Sequence, residues 1–321
     1  MLDQKKIGRI FHQQYHNKHM KYIVVGGAGF IGSNLTDLLI DEGHEVLVID
    51  NLSTGKRENI NTKADLLLLD ISDSINFNAM IDAMRGSNGV FHLAALARVQ
   101  PSIEDPHEFN KINVTGTLNV LHCAKEAGVK RVVYSASSSA YGNASIFPTP
   151  EDHPTDPLSP YGLQKLIGEQ YCRVFNHCYG LETVSLRYFN VFGERQALTG
   201  AYCLVMGIFA KQKLEGKPMT IYGDGEQKRD FTYVKDVARA NLLAMESSNV
   251  GSGEVINVGN GDNRSVNEIA DLIGGEKEYL PERLEPKQTL ADNSKAKKLL
   301  GWKTTVSVED WIPGWIEDLD Q

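Results

Sequence analysis

Tyr161 and Lys165 stand four residues apart in "SPYGLQK", directly after a proline that can open a helix, so both side chains fall on one helical face. A phenol with its ordinary pKa near 10 is a poor base at neutral pH, but a neighbouring ammonium favours the phenolate, and the pair reads as an acid-base group. Upstream, "SASSSAYG" (Ser135 to Gly142) places four serines at the end of the apolar run "RVVYS", where packing alone favours apolar residues. A third chemical feature is "VVGGAGFIGSN", with Gly26, Gly29 and Gly32 three apart between a strand and a helix. Missing Cβ atoms let a diphosphate approach the backbone there, and the helix N-terminus offers free N–H groups and a positive dipole end.

Asp50 ends the next apolar run. A carboxylate there can accept both hydroxyls of an adenosine ribose and would repel a 2′-phosphate, which favours NAD; Lys56 and Arg57 keep NADP open. Asp70, ending "DLLLLD", is either a contact to the adenine amino group or a polar strand end.

These residues need a scaffold, and the chain supplies a regular one. From Lys21 onward, short apolar runs alternate with stretches of helical period, the pattern of parallel strands joined by crossover helices. "YIVVGG", "EVLVID", "DLLLLD", "GVFHLAA", "RVVYSAS" and "TVSLRYFNV" read as strands, with helices at Phe30 to Asp41, Asn110 to Ala127 and Tyr161 to Cys178. The expected fold is α/β, a doubly wound parallel (Rossmann) sheet with a smaller C-terminal substrate-binding domain. Residues 1–19 read as a tail, 20–186 as the cofactor domain and 187–321 as mainly the substrate domain, with a segment around 230–260 returning to the first.

Composition narrows the partners. A net charge of −8 over 321 residues argues against a broad nucleic-acid face. No apolar run is long enough to span a bilayer, and the N-terminus lacks the apolar core of a signal peptide, so a cytoplasmic protein is expected. Cys123, Cys172, Cys178 and Cys203 lack metal or disulfide spacing. His12, His16 and His19 in the tail have no carboxylate or cysteine company, and no metal is expected.

Beyond single motifs, "GGAGFIGSNL", "DNLSTG", "HLAA", "SSSAYG", "SPYGLQK", "LRYFNVFGERQ", "GAY", "YGDGEQKRDFTYVKDVA", "NVGNG" and "SKAKKLLGW" occur in order from Met20 onward. In these the chain resembles the extended short-chain dehydrogenase/reductase family and, within it, nucleotide-sugar 4-epimerases of the UDP-galactose and UDP-N-acetylglucosamine type. The resemblance implies tightly retained NAD, a transient 4-ketose, Tyr161 as base, Lys165 beside it and Ser137 as the catalytic serine. It implies cofactor contacts from Gly26, Gly29, Phe30, Ile31, Gly32, Asp50, Asn51, Ser53, Asp70, Ile71, Leu93, Ala94, Ala95, Asn113, Tyr161, Lys165 and Tyr188. Substrate contacts are implied for Ser137, Ser138, Ser139, Asn190, Arg195, Tyr202, Arg229, Arg283 and Thr289, with Arg229 on the diphosphate.

Arg283 departs from the family pattern by one position, since Glu282 stands where relatives often carry the arginine. Related dehydratases carry an Asp-Glu pair, and decarboxylases a glutamate, where this chain has Ser138 and Ser139; without them, oxidation and return at C4 is the chemistry left. Thr289 stands where galactose-restricted enzymes have a bulky tyrosine, which implies UDP-GlcNAc/UDP-GalNAc as substrates, with UDP-Glc/UDP-Gal besides. UDP-glucuronate 4-epimerisation stays open, as does a non-catalytic NAD sensor. The helices Asn110 to Ala127 and Tyr161 to Cys178 imply a homodimer.

Overall fold

Along the first strand, β1 (Lys21–Val25), Tyr22 and Val24 enter one layer of core while Ile23 and Val25 enter the other, and all four are buried. Burial on both faces requires helices on both sides of a sheet. The computed structural model describes residues 19–198, 203–282 and 285–319. Tyr202, Arg283, His12 and His16 lie outside the described residues.

The strands are β1, β2 (Glu45–Asp50), β3 (Asp65–Leu68), β4 (Gly89–His92), β5 (Arg131–Ser137), β6 (Glu182–Tyr188), β7 (Asn190–Phe192), β8 (Met219–Tyr222), β9 (Lys228–Tyr233), β10 (Ser252–Val258), β11 (Asn263–Ser265) and β12 (Lys277–Leu280). Seven of them form one sheet in the order β10-β6-β5-β4-β1-β2-β3, with every pair parallel. The doubly wound α/β fold read from the alternating pattern is the observed one. The seventh strand, β10, is the run "EVINVGN", which pairs with β6 at the sheet edge.

Helices Phe30–Asp41 and Val234–Glu246 cover one face through Leu35, Leu39 and Val237. Helices Phe77–Met84, Thr117–Glu126 and Pro160–Tyr179 cover the other through Met80, Leu121 and Phe175. Each such side chain contributes roughly 1.5–3 kcal/mol when fully buried. Strand order reverses between β1 and β4, and the carboxyl ends of these neighbours diverge into a crevice, the usual ligand position in such sheets.

The helix expected over Asn110 to Ala127 is interrupted. Residues Lys111–Gly116 form a π-turn between the short helix Pro106–Asn110 and Thr117–Glu126. The wider turn is stabilised by Asn113, which is buried and whose amide brackets Leu96: Oδ1 accepts the Leu96 N–H at 2.8 Å, and Nδ2 donates to the Leu96 carbonyl at 2.9 Å.

The remaining strands form a small sheet, β11-β9-β7, and a pair, β12-β8. "SKAKKLLGW" fastens the C-terminal part to the main sheet's helix, because Trp302 is buried and its indole N–H donates to the Asp236 carbonyl at 2.7 Å. Among the described residues no helix is long and apolar enough to cross a membrane, and all four cysteines are free.

Candidate active site

The glycine turn is shaped by close approach. Gly26 has φ +87°, and a Cβ on it would stand 2.4 Å from the Ala94 backbone nitrogen, so only glycine lets the turns after β1 and β4 meet. A Cβ on Gly32 would stand 2.1 Å from the Gly26 carbonyl oxygen, which brings the helix Phe30–Asp41 down onto the turn. Gly29 precedes that helix, and no side chain caps its N-terminus.

Beside the turn lies a cleft of about 540 Å³. Gly26, Gly29, Asp50, Asn51, Ser53, Asp70, Ile71, Leu93, Ala94 and Ala95 line it, as the sequence reading expects of cofactor contacts. Ile49, Thr54, Gly55, Leu69, Leu96 and Ile112 join them without having been anticipated. All but Gly55 are immediate neighbours of predicted residues, Ile112 through Asn113 of the π-turn.

The Asp50 carboxylate accepts the Ala28 N–H at 3.0 Å and the Leu52 N–H at 2.8 Å, which fixes it at the end of β2. Lys56, one of the two cations that kept NADP open, is exposed and 3.7 Å from Glu58. Burial alone would raise the Asp70 carboxyl, but hydrogen bonds from the Ser72 hydroxyl and N–H, together with the Lys111 charge and Asn51, hold the group below its ordinary value. An uncapped helix end for phosphate, a carboxylate for ribose and a second acceptor for adenine form a donor and acceptor set that fits NAD. Phe30, Ile31, Gly32, Asn113, Tyr161, Lys165 and Tyr188, also expected at the cofactor, are not among the residues that line this cleft. Asn113 holds Leu96 and meets Gln164, while Tyr188 bonds Ser135 and Asn241 in the core, each at 2.9 Å.

Tyr161 is positioned by its helix start. Ser159 caps the Gly162 N–H at 3.1 Å and Pro160 takes the first turn. A Cβ on Gly162 would stand 2.7 Å from the Ser139 carbonyl oxygen, so this glycine lets the helix seat against the serine turn. Ser102 adds a second anchor, its Oγ accepting the Tyr161 N–H at 3.1 Å.

The Ser137 hydroxyl is thereby brought to the Tyr161 phenol, whose ionisation it favours. Ser137 Oγ also accepts the Ser139 N–H and lies 3.1 Å from Ser139 Oγ, which holds Ser138 and Ser139 in a single helical turn beside the phenol. Lys165 is buried, and its Nζ donates to the Ser135 carbonyl at 2.7 Å and lies 5.1 Å from the Tyr134 ring centroid. Burial brings Lys165 down from its ordinary 10.5 to about 8, with Glu169 and Cys172 acting in the opposite sense.

The charges fall differently from the expectation for the Tyr-Lys pair. Burial raises the Tyr161 phenol above its ordinary value, and the opposing influences are the Ser137 hydrogen bond and the positive charge of Arg98. Arg98 and Ser102 were not anticipated. The available signal was Arg98's position as the lone charged residue between His92 and Glu104.

The expected substrate residues occupy separate neighbourhoods. Asn190 begins β7 opposite Phe231 of β9, two residues along from Arg229. The Arg229 guanidinium pairs with Glu285 at 2.5 Å. Thr289 turns its hydroxyl onto the Asp230 N–H at 3.1 Å. Arg195, at φ +68°, pairs with Asp37 of the helix Phe30–Asp41 at 2.5 Å, so it joins a different anion from Arg229.

Known proteins resemble this chain over most of its length. The profile of the family described as "Epimerase: NAD dependent epimerase/dehydratase family" matches residues 22–259. The structure of UDP-glucose 4-epimerase with UDP-glucose from Thermotoga maritima is 40% identical, with a TM-score of 0.88 over 94% of this chain and 98% of that one. UDP-N-acetylglucosamine 4-epimerase from Methanobrevibacter ruminantium M1, in complex with UDP-N-acetylmuramic acid, is 38% identical, with a TM-score of 0.85 over 94% and 96%. UDP-glucuronic acid 4-epimerase from Bacillus cereus, in complex with UDP-glucuronic acid and NAD, is 34% identical, with a TM-score of 0.83 over 94% and 100%.

Proposed function

The chain belongs to the NAD dependent epimerase/dehydratase family, and from that premise we propose that it interconverts UDP-GlcNAc and UDP-GalNAc at C4, with UDP-glucose and UDP-galactose as further substrates. NAD, held by the cleft that Gly26, Gly29, Asp50 and Asp70 line, would supply a reversible hydride acceptor for C4. Tyr161 Oη accepts the proton of the 4-hydroxyl and later gives it back, while Ser137 Oγ orients the 4-oxygen. Lys165 carries positive charge at the base of the site, and the Arg229 fork, beside β7 and Asn190, takes the diphosphate.

One observation carries the reading: the helix of Tyr161 and Lys165 is seated through Gly162 on the turn Ser137–Ser139, and the two positions after Ser137 are serines. A dehydratase must remove a C5 proton and expel the 6-hydroxyl, which hydroxyl groups of ordinary acidity do not do. Thr289 supports the N-acetyl preference, because a small side chain drawn against β9 leaves space that a tyrosine would fill.

The test is parallel incubation of purified protein with UDP-GlcNAc, UDP-glucose and UDP-glucuronate, with products separated. Conversion of UDP-GlcNAc is expected. Turnover of UDP-glucose with UDP-GlcNAc untouched would overturn the wide-pocket argument, and preferential turnover of UDP-glucuronate would replace the substrate assignment.

The partner is read as a second copy of the chain, in the cytoplasm. Leu163 and Val174 are 48% and 50% exposed and lie eleven residues apart on the helix Pro160–Tyr179, about three turns, hence on one outward face. Sedimentation at working concentration should give twice the chain mass; a monomer would refute the pairing.

A further inference from the structure

The Lys165 ammonium is buried, and two of its neighbours answer its charge only in part. The Ser135 carbonyl takes one of its three N–H groups, at 2.7 Å. Glu169, one turn along the helix, favours the charge, but both its oxygens bond the Arg187 guanidinium, at 2.8 and 2.7 Å, so that pair carries no net charge.

A third contact is an aromatic face. Lys165 Nζ stands over the Tyr134 ring, 5.1 Å from its centroid. Such a face attracts a cation through the ring quadrupole, more strongly where water is excluded.

The ring is fixed on both sides. Toward the helix, the Tyr134 hydroxyl donates to the Lys165 carbonyl at 3.5 Å, and a Cβ on Gly168 would stand 2.2 Å from that hydroxyl, so the glycine admits the ring. Toward β4, the buried His92 ring lies 5.5 Å from the Tyr134 ring, centroid to centroid. The Thr117 hydroxyl gives its hydrogen to the Asn113 carbonyl at 2.7 Å and therefore accepts the His92 Nε2–H at 2.9 Å.

These neighbours leave Lys165 as the cation at this face. Burial, with the Lys165 charge second, brings His92 down to about 3, so the imidazole is neutral. Burial also holds Tyr134 well above its ordinary 10, and Cys172, which faces the ammonium from its own helix, is kept a thiol by the same cause. Tyr161 stands one turn before Lys165, and Arg187 of β6 lies behind Glu169.

We propose that Tyr134 is a positioning residue for the 4-epimerisation: its ring face holds the Lys165 side chain in place and keeps the ammonium charged at the base of the site. This rests on the reading of Lys165 as the positive charge there. With a weaker face, burial acts on Lys165 against less opposition, and a group already near 8 loses its proton earlier.

Phenylalanine and its mono-, di- and trifluorinated forms in place of Tyr134 test this in the NAD-loaded enzyme, because fluorine draws electron density from the ring face while nearly preserving its shape. Tyr134→Phe keeps the face and should hold the alkaline limb of kcat close to the parent's. From there the limb should move to lower pH with each added fluorine, by about one unit over the series, with the unfolding temperature staying at the Tyr134→Phe value. The carbon-13 resonance of Lys165 in lysine-labelled protein, assigned by its loss in Lys165→Met, should titrate in step.

An alkaline limb or a Lys165 titration that is the same across the fluorinated series would overturn the proposal. So would a limb that moves only as the unfolding temperature falls, since that is the mark of a packing role. Undiminished turnover by Lys165→Met would instead remove the charge at the base of the site on which the proposal rests. The two failures are distinguishable, because the first leaves Lys165 essential.

Discussion

Tyr161→Phe should reduce turnover by about 10³-fold or more while leaving the fold and cofactor retention in place, because general acid-base catalysis of this kind contributes roughly 10²–10⁴-fold and hydride transfer cannot proceed with the 4-hydroxyl proton retained. The substitution removes one oxygen. Its ring, the Ser102 anchor on the backbone and the Ser159 cap all remain. Ser137 keeps its bonds with Ser139. Product formation from UDP-GlcNAc, the NAD content of the purified protein and the unfolding temperature together decide the matter. An unchanged rate would end the proposed mechanism, whereas a lost rate with lost NAD and a lowered unfolding temperature would indicate damage to the fold.

The second large effect is on stability and begins one turn beyond Lys165. Glu169 and Arg187 form a buried two-point pair, with distances of 2.8 and 2.7 Å, and their side chains are 1% and 4% exposed. Arg187 also lies 4.5 Å from the Tyr141 ring centroid and donates to the Glu151 carbonyl at 3.3 Å, so one guanidinium joins β6, the catalytic helix and the loop after the serine turn. Glu169→Leu strands that cation in the core. A cost of about 3–5 kcal/mol is expected, equivalent to an unfolding temperature lower by on the order of 10 °C.

The double change Glu169→Leu/Arg187→Met should recover most of that loss, because it leaves no unpaired charge in the core. Thermal unfolding of the NAD-loaded proteins measures both, and a Glu169→Leu protein as stable as the parent would refute the argument. Glu169 also helps keep Lys165 protonated against burial, so the single variant should lose activity at lower pH on the alkaline side. The direction follows from sign: removing a nearby negative charge lowers an ammonium pKa already near 8.

Much of the site was legible before the fold. The glycine spacing, Asp50 at a strand end, Asp70 and the "HLAA" run are local features, and Gly26, Gly29, Asp50, Asp70, Leu93, Ala94 and Ala95 from them line one cleft. Strand and helix alternation was equally readable, because a sheet buried on both faces demands continuous apolar runs and its crossovers demand helical period. Less legible were residues whose type admits several partners. Tyr188 and Asn113, expected at the cofactor, donate into the core and to Leu96, since a buried hydroxyl or amide must find partners wherever packing brings them. Arg195 could pair with any nearby anion and pairs with Asp37.

The sequence by itself determined the fold class, the glycine turn, the Tyr161-Lys165 spacing and the absence of carboxylates at Ser138 and Ser139, because each is a short-range pattern of residue type and interval. Only the tertiary structure decided which charge acts on the phenol. That depended on Gly162 seating one helix against the serine turn and on Ser102 tying another to the Tyr161 backbone, contacts between segments far apart in the chain. Electrostatic influence follows distance and burial in space, and neither quantity is written in the spacing of residues along the chain.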